Sequence, residues 1–104
     1  MPSAKNIIFK LRFSDIVDKE IEQAIKYLRE KSESGEYLFK AELNEALDIL
    51  EISPFFQIRY KNIRALPFKS LPYLMFYEVF EEEKIVYVYS VFNTYQNPDK
   101  YPEL

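Results

Sequence analysis

The last third of the chain constrains the fold most. Residues 71–80 read LPYLMFYEVF and residues 84–92 read KIVYVYSVF, with Glu81, Glu82 and Glu83 between them. β-Branched and aromatic residues on both sides of a short acidic turn predict a β-hairpin. Both runs are apolar at nearly every position, so both faces of the hairpin need cover. One face has to pack on the rest of the domain. The other is too apolar to stand bare. The second run closes on Asn93-Thr94-Tyr95-Gln96-Asn97-Pro98. Amide, hydroxyl and phenol groups then gather at the mouth of a sheet, a place where small domains put function.

Upstream, residues 6–13 alternate. Phe9, Leu11 and Phe13 share one face and Lys10 and Arg12 the other, which predicts a first strand. Ser14 is placed to cap a helix, with Asp15 and Asp18 in its first turn. Val17, Ile21, Ala24, Ile25 and Leu28 then mark one buried helical face. Gly35, the only glycine, is expected to stop this helix in the left-handed region. A second helix follows from about Tyr37 to Glu51, with Phe39, Leu43, Ala46, Leu47 and Leu50 on its apolar side. Ser53-Pro54 ends it, because a residue before proline is pushed out of the α region. Residues 56–60 and 63–67 read as strands around a Lys61-Asn62 turn. The order is β-α-α-β-β-β-β. It predicts a single α+β domain over residues 1–104, an antiparallel sheet packed against a helical hairpin.

A chain of 104 residues buries roughly 65% of its unfolded surface, enough for one core without staples. Hydrophobic content of 48% excludes a disordered chain. Neither cysteine nor histidine occurs. That removes disulfides, thiolate chemistry and thiolate-bound metals. No carboxylate spacing suggests a metal site, so no metal and no cofactor is expected. No apolar run approaches the roughly 20 residues of a membrane span. Residues 1–6, MPSAKN, lack the apolar stretch of a signal peptide. A soluble cytoplasmic protein without membrane contact is the expectation.

Net charge is −3, which argues against a general nucleic-acid binder. The distribution is uneven. Residues 55–72 carry Arg59, Lys61, Arg64 and Lys69 and no acid. Residues 77–83 carry Glu78, Glu81, Glu82 and Glu83 and no cation. In strict alternation Leu74, Phe76 and Phe80 share one face of the hairpin's first strand, and Tyr73, Met75, Tyr77 and Val79 the other. In its second strand Val86, Val88 and Phe92 lie opposite Ile85, Tyr87, Tyr89 and Val91. Tyr73, Tyr77, Tyr87 and Tyr89 then read as a face covered by a protein partner, or by loops and the C-terminal tail.

Residues 54–67 (PFFQIRYKNIRALP), Leu71-Pro72-Tyr73, Phe76-Tyr77-Glu78-Val79, Val91-Phe92-Asn93-Thr94 and Asn97-Pro98 resemble the RelE/ParE toxins of bacterial type II toxin–antitoxin pairs. The likeness runs from the first strand to Pro98. It implies a compact α+β toxin neutralised by an antitoxin that wraps around it, with oligomers formed alongside that antitoxin. RelE-like members cleave messenger RNA on the ribosome. ParE-like members inhibit DNA gyrase and are not nucleases. The resemblance therefore implies a cognate antitoxin as partner, and gyrase or the ribosome with its mRNA as target.

The departures divide these two classes. Many relatives carry histidine where this chain has Asn93, and arginine where it has Gln96. Nucleolytic members tend to carry an arginine in the strand that here runs Tyr73–Val79 without a cation. Attack by a 2′-hydroxyl needs a proton acceptor, a proton donor and cations for the developing phosphorane charge. Arg64 and Tyr95 are the catalytic candidates for a nuclease. Arg59, Lys61, Arg64, Lys69, Asn93, Tyr95, Gln96 and Asn97 are the candidates for contact with a target or nucleic acid. Tyr73, Tyr77, Tyr87 and Tyr89 are the candidates for antitoxin contact. Plainer roles compete. Lysines blunt a sheet edge against self-pairing, and Asn93, Asn97 and Pro98 end a strand and form a turn. The weight falls on a ParE-like, non-nucleolytic toxin. A RelE-type endoribonuclease and a degenerate binding module are the alternatives.

Overall fold

The computed structural model describes residues 7–95. Its elements are β1 (Lys10–Phe13), α1 (Asp15–Lys31), α2 (Glu33–Ile52), β2 (Ile58–Tyr60), β3 (Ile63–Pro67), β4 (Tyr73–Phe80) and β5 (Ile85–Asn93). The expected order of elements is present, and two helices pack against one five-stranded sheet. Spatial order is β1-β5-β4-β3-β2. Three pairings are antiparallel, but β1 runs parallel to β5. The sheet is therefore mixed, which corrects the expectation of an antiparallel one. A parallel pair needs a long crossover, and here everything from α1 to β4 lies between its two members.

The helical hairpin is tighter than the sequence suggested. α1 ends at Lys31 and α2 begins at Glu33, with Ser32 alone between them. The Ser32 hydroxyl accepts a hydrogen bond from the Gly35 amide at 3.1 Å and so caps α2. Gly35 thus lies in the first turn of the second helix and does not end the first, and its φ is not positive. Its lack of a side chain serves packing instead. A Cβ there would sit 2.7 Å from the Leu28 carbonyl oxygen and 3.1 Å from Leu28 Cβ. Arg29 reaches the Glu36 carboxylate across this crossing and Lys40 reaches it from one turn further along α2, both at 2.8 Å. The Arg29 hydrogen bond, then that from Lys40, lowers the Glu36 pKa to about 2.

The core lies between helices and sheet. Val17, Ala24, Phe39, Ala46 and Leu50 meet Tyr73, Met75, Tyr77, Val86, Val88 and Val91. On the opposite face of the sheet Ile63, Ala65, Leu74, Phe76 and Phe92 form a second buried cluster, with Tyr89 packed against it. Strict alternation along β5 would put Val88 and Val91 on different faces, yet both join the helix-facing core. The cause is a bulge. Phe76 pairs with Ser90 while Tyr77 pairs with Val88, so Tyr89 is the extra residue.

Side chains from the start of α1 hold this bulge. The Ser14 hydroxyl donates to the Tyr89 carbonyl at 2.7 Å, so the helix starts without a side-chain cap. Glu20 accepts from the Ser90 hydroxyl and the Val91 amide, both at 2.8 Å. Burial raises the Glu20 pKa above the ordinary carboxylate value, against the opposing pull of those two hydrogen bonds.

Candidate functional site

The four tyrosines chosen as a partner-facing set do not share a face. Tyr73 and Tyr77 are buried beneath the helices. Tyr73 meets Phe39 edge-on, with ring centroids 5.1 Å apart. The Tyr77 hydroxyl donates to the Pro54 carbonyl at 2.6 Å and pins the segment that leaves α2. Burial raises the pKa of both phenols. As antitoxin contacts these two are corrected to core residues. Alternation along β4 separated them properly from Leu74 and Phe76. It did not say which of the two faces the helices take.

Tyr87 and Tyr89 do lie away from the helices and are half-buried, with ring centroids 4.9 Å apart. The Tyr89 hydroxyl donates to Glu78 at 2.9 Å. Burial first, then the Glu78 hydrogen bond and charge, pushes the Tyr89 pKa up to about 12. This phenol therefore stays protonated and acts as a donor. In register, Arg12 of β1 stands beside Tyr87, which stands beside Glu78. A cation, two phenols and a carboxylate thus run across the β1-β5-β4 half of that face.

The basic residues do not converge. Arg59 and Lys61 are exposed at the β2–β3 connection, where Lys61 takes a φ of 52°. Arg64 turns back on its own segment. It donates to the Phe56 carbonyl at 2.6 Å, and its guanidinium lies 5.5 Å from the Phe55 ring centre. Lys69 follows β3, so the five residues of that strand separate it from Lys61, about 16 Å of chain. Around Lys69, α2 and β3 leave a groove of about 260 Å³ whose lining includes Glu42 and Glu45. Two carboxylates make that groove a poor seat for a phosphate.

Glu42 was not singled out from the sequence, where it reads as one more acid on a polar helix side. It is buried. It accepts from the Ser70 and Leu71 amides, both at 3.0 Å, and closely from the Ser70 hydroxyl. Burial works to raise its pKa. The hydrogen bonds from Ser70 and Leu71 and the charge of Lys69 outweigh that and hold it below the ordinary value. A buried carboxylate on α2 thus moulds the loop that enters β4. A polar residue at a position in line with Phe39 and Ala46 is the one sequence signal that marks it.

At the far end of the hairpin, the Asn93 side chain accepts from the Tyr95 amide at 2.9 Å. It forms the local turn expected of asparagine at a strand end. The Thr94 amide donates to the Pro72 carbonyl at 2.8 Å and ties this turn to the same loop. Tyr95 is 84% exposed. Gln96 and Asn97 lie outside the described residues. Lys69 and Tyr95 share this end of the sheet, while Arg59 and Lys61 occupy the other. Among the described residues no group of three His, Cys, Asp or Glu side chains is arranged to hold a metal ion. No described helix is long and apolar enough to cross a membrane.

Three solved structures share this arrangement. A protein of the chromosomal ParDE toxin–antitoxin system of P. aeruginosa aligns with a TM-score of 0.65 at 12% identity, over 83% of this chain and 96% of that one. A chain of the intact E. coli RelBE toxin–antitoxin complex aligns at 0.51 and 22% identity, over 80% and 93%. An E. coli RelE variant in complex with a peptide of the antitoxin RelB aligns at 0.50 and 24%, over 81% of each chain. At these identities the likeness is one of fold. A sequence search of curated proteins finds no match. The family assignment comes from the sequence profile of the ParE toxin of the type II toxin–antitoxin system parDE, which matches residues 11–98. The chain belongs to the ParE toxin family of type II toxin–antitoxin systems.

Proposed function

We propose that this ParE-family chain acts in the cytoplasm by binding a macromolecular target without cleaving nucleic acid, and that a cognate antitoxin neutralises it. DNA gyrase is the first target to test. The carrying observation is that three of the four cations lie away from Tyr95, the proton-transfer candidate. Arg59 and Lys61 sit at one end of the sheet, Arg64 is engaged with Phe55 and Phe56, and Asn93 is spent on a turn. Phosphoryl cleavage needs those functions within reach of one scissile bond. The RelE and RelB structures aligned above support an antitoxin partner. Tyr87 and Tyr89, half-buried on the face away from the helices, are the aromatic residues this reading assigns to that contact, and such a complex allows higher oligomers.

Lys69 and Tyr95 share one end of the sheet, and this favours a second reading, a ribosome-dependent endoribonuclease. Induction without antitoxin discriminates between the two. On the first reading growth slows, primer extension shows no codon-position cleavage, and micromolar protein inhibits gyrase supercoiling. Cleavage that disappears in Tyr95→Phe and Lys69→Ala would replace the first reading with the second. Unimpaired growth with a stable, soluble product would identify a binding module that has lost toxicity.

A further inference from the structure

The topology brings two turns of opposite charge to one end of the sheet. β3 starts where β4 ends, with Ile63 beside Glu78, and β5 starts there too, with Ile85 beside Phe80. The β4–β5 turn therefore presents Glu81, Glu82 and Glu83 at the same end as Arg59 and Lys61 around the β2–β3 connection. All five side chains are exposed. Among the described residues none of them takes part in an ion pair. One turn joins β5 to β4 and the other joins β3 to β2, so their centres lie two strand spacings apart, about 10 Å. The other two cations at this end are occupied. The Lys84 ammonium lies 5.9 Å from the Phe9 ring centre, and Arg64 is held by Phe55 and Phe56.

The same end carries an apolar patch on the side of α2. The Phe9 amide donates to the Glu51 carbonyl at 2.8 Å, and the Phe9 and Phe55 rings meet edge-on with centroids 5.7 Å apart. These contacts gather Ile7, Ile8, Ile52 and Phe55, which are 50%, 62%, 71% and 50% exposed. Single exposed apolar residues need no explanation, but four held together do.

This surface is complementary to itself. A two-fold axis normal to the sheet, passing between β4 and β3, exchanges left and right but keeps the helices of both copies on one side. It sets the acidic turn of each copy against the cationic turn of the other, and it places the two apolar patches on the same side of the contact. A wholly acidic or wholly basic partner satisfies one turn and repels the other, whereas a second copy satisfies both. Exposed ion pairs add little energy, so the turns set orientation and the patch supplies attraction.

We propose that two copies of this chain dock end to end through this surface, with Glu81, Glu82 and Glu83 of each copy opposite Arg59 and Lys61 of the other and the Ile7, Ile8, Ile52 and Phe55 patches in contact. The contact is small, so the dimer is a weak one. It needs neither antitoxin nor target.

The test is sedimentation equilibrium of the full chain between roughly 5 and 500 μM, where a monomer–dimer equilibrium is expected. Arg59→Glu/Lys61→Glu makes both turns acidic, and Glu81→Lys/Glu82→Lys/Glu83→Lys makes both basic. Each variant, with a dispersed NMR spectrum to show that it folds, should self-associate at least about tenfold more weakly than the wild type. Mixed one to one, the two should form a heterodimer at least as tight as the wild-type dimer, because both contacts are then complementary. Ile52→Ser, at a surface position, should weaken self-association without changing the fold. A monomer throughout the range leaves the patch to some other protein and overturns the proposal. Self-association that persists in both charge variants, or is unchanged in Ile52→Ser, overturns it too, as does a mixture of the two folded charge variants that stays monomeric.

Discussion

Single side chains in this protein hold positions that their chemistry alone does not announce. Gly35 is the sharpest case. On helix propensity, Gly35→Ala should stabilise by about 1 kcal/mol. The 2.7 Å approach of its Cβ to the Leu28 carbonyl oxygen reverses that sign, because the obstacle is backbone and cannot swing aside. The expected outcome is destabilisation by about 1–3 kcal/mol in urea unfolding. Glu20 and Glu36 act on stability in opposite directions of pH. Glu20 has a raised pKa, so the folded state holds its proton longer than the unfolded chain does. Its contribution is present at low pH and is lost as pH rises through a window beginning near 4.5. Glu36 has a pKa lowered to about 2, so its contribution is present above 4.5 and is lost as pH falls through that range. Unfolding midpoints measured across pH should show Glu20→Gln removing the loss above 4.5 and Glu36→Gln removing the loss below it.

At the scale of elements, the connections depend on carboxylates and a phenol that reach across the chain. Glu42 holds the loop before β4 through Ser70 and Leu71. Glu42→Ala should leave these groups without their acceptor and cost about 1–3 kcal/mol. It should also speed hydrogen exchange at the Ser70 and Leu71 amides while leaving β5 protected. Tyr77→Phe should cost about 1 kcal/mol, because the Pro54 carbonyl loses its donor while the ring keeps its packing. The α1–α2 hairpin was legible in outline. The apolar positions Val17, Ala24, Phe39, Ala46 and Leu50 sit in the core where the helical period put them. The junction was not legible, since the same glycine serves a stop or a close crossing and only the neighbouring helix tells them apart. The bulge in β5 was hidden for a related reason. Val88, Tyr89, Ser90 and Val91 carry no sign of an extra residue until Ser14 and Glu20 of α1 are placed against them.

At the scale of the whole molecule, the arrangement is a helical hairpin on one face of a mixed sheet and a second apolar cluster on the other. Leu50 is fully buried between the layers, and Leu50→Ala should cost about 2–5 kcal/mol in thermal or urea unfolding. That loss should appear as one cooperative transition, because this is one small domain with a shared core. Toxicity in the growth assay should fall with stability in Leu50→Ala. In Lys69→Ala, which leaves the core untouched, the ParE-like reading expects toxicity to persist.

The order of elements, the helical faces and the family likeness follow from the chain alone, because periodicity and turn chemistry are local properties of neighbouring residues. The sense of the β1–β5 pairing, the face to which each tyrosine turns and the scatter of the four cations do not. Each depends on the placement of residues distant in sequence: Phe13 beside Val88, Tyr77 under Pro54, and Lys69 lining one groove with Glu42. A one-residue bulge is enough to exchange the two faces of a strand. Tertiary structure therefore decided that Tyr73 and Tyr77 belong to the core, while Tyr87 and Tyr89 lie half-buried on the face away from the helices.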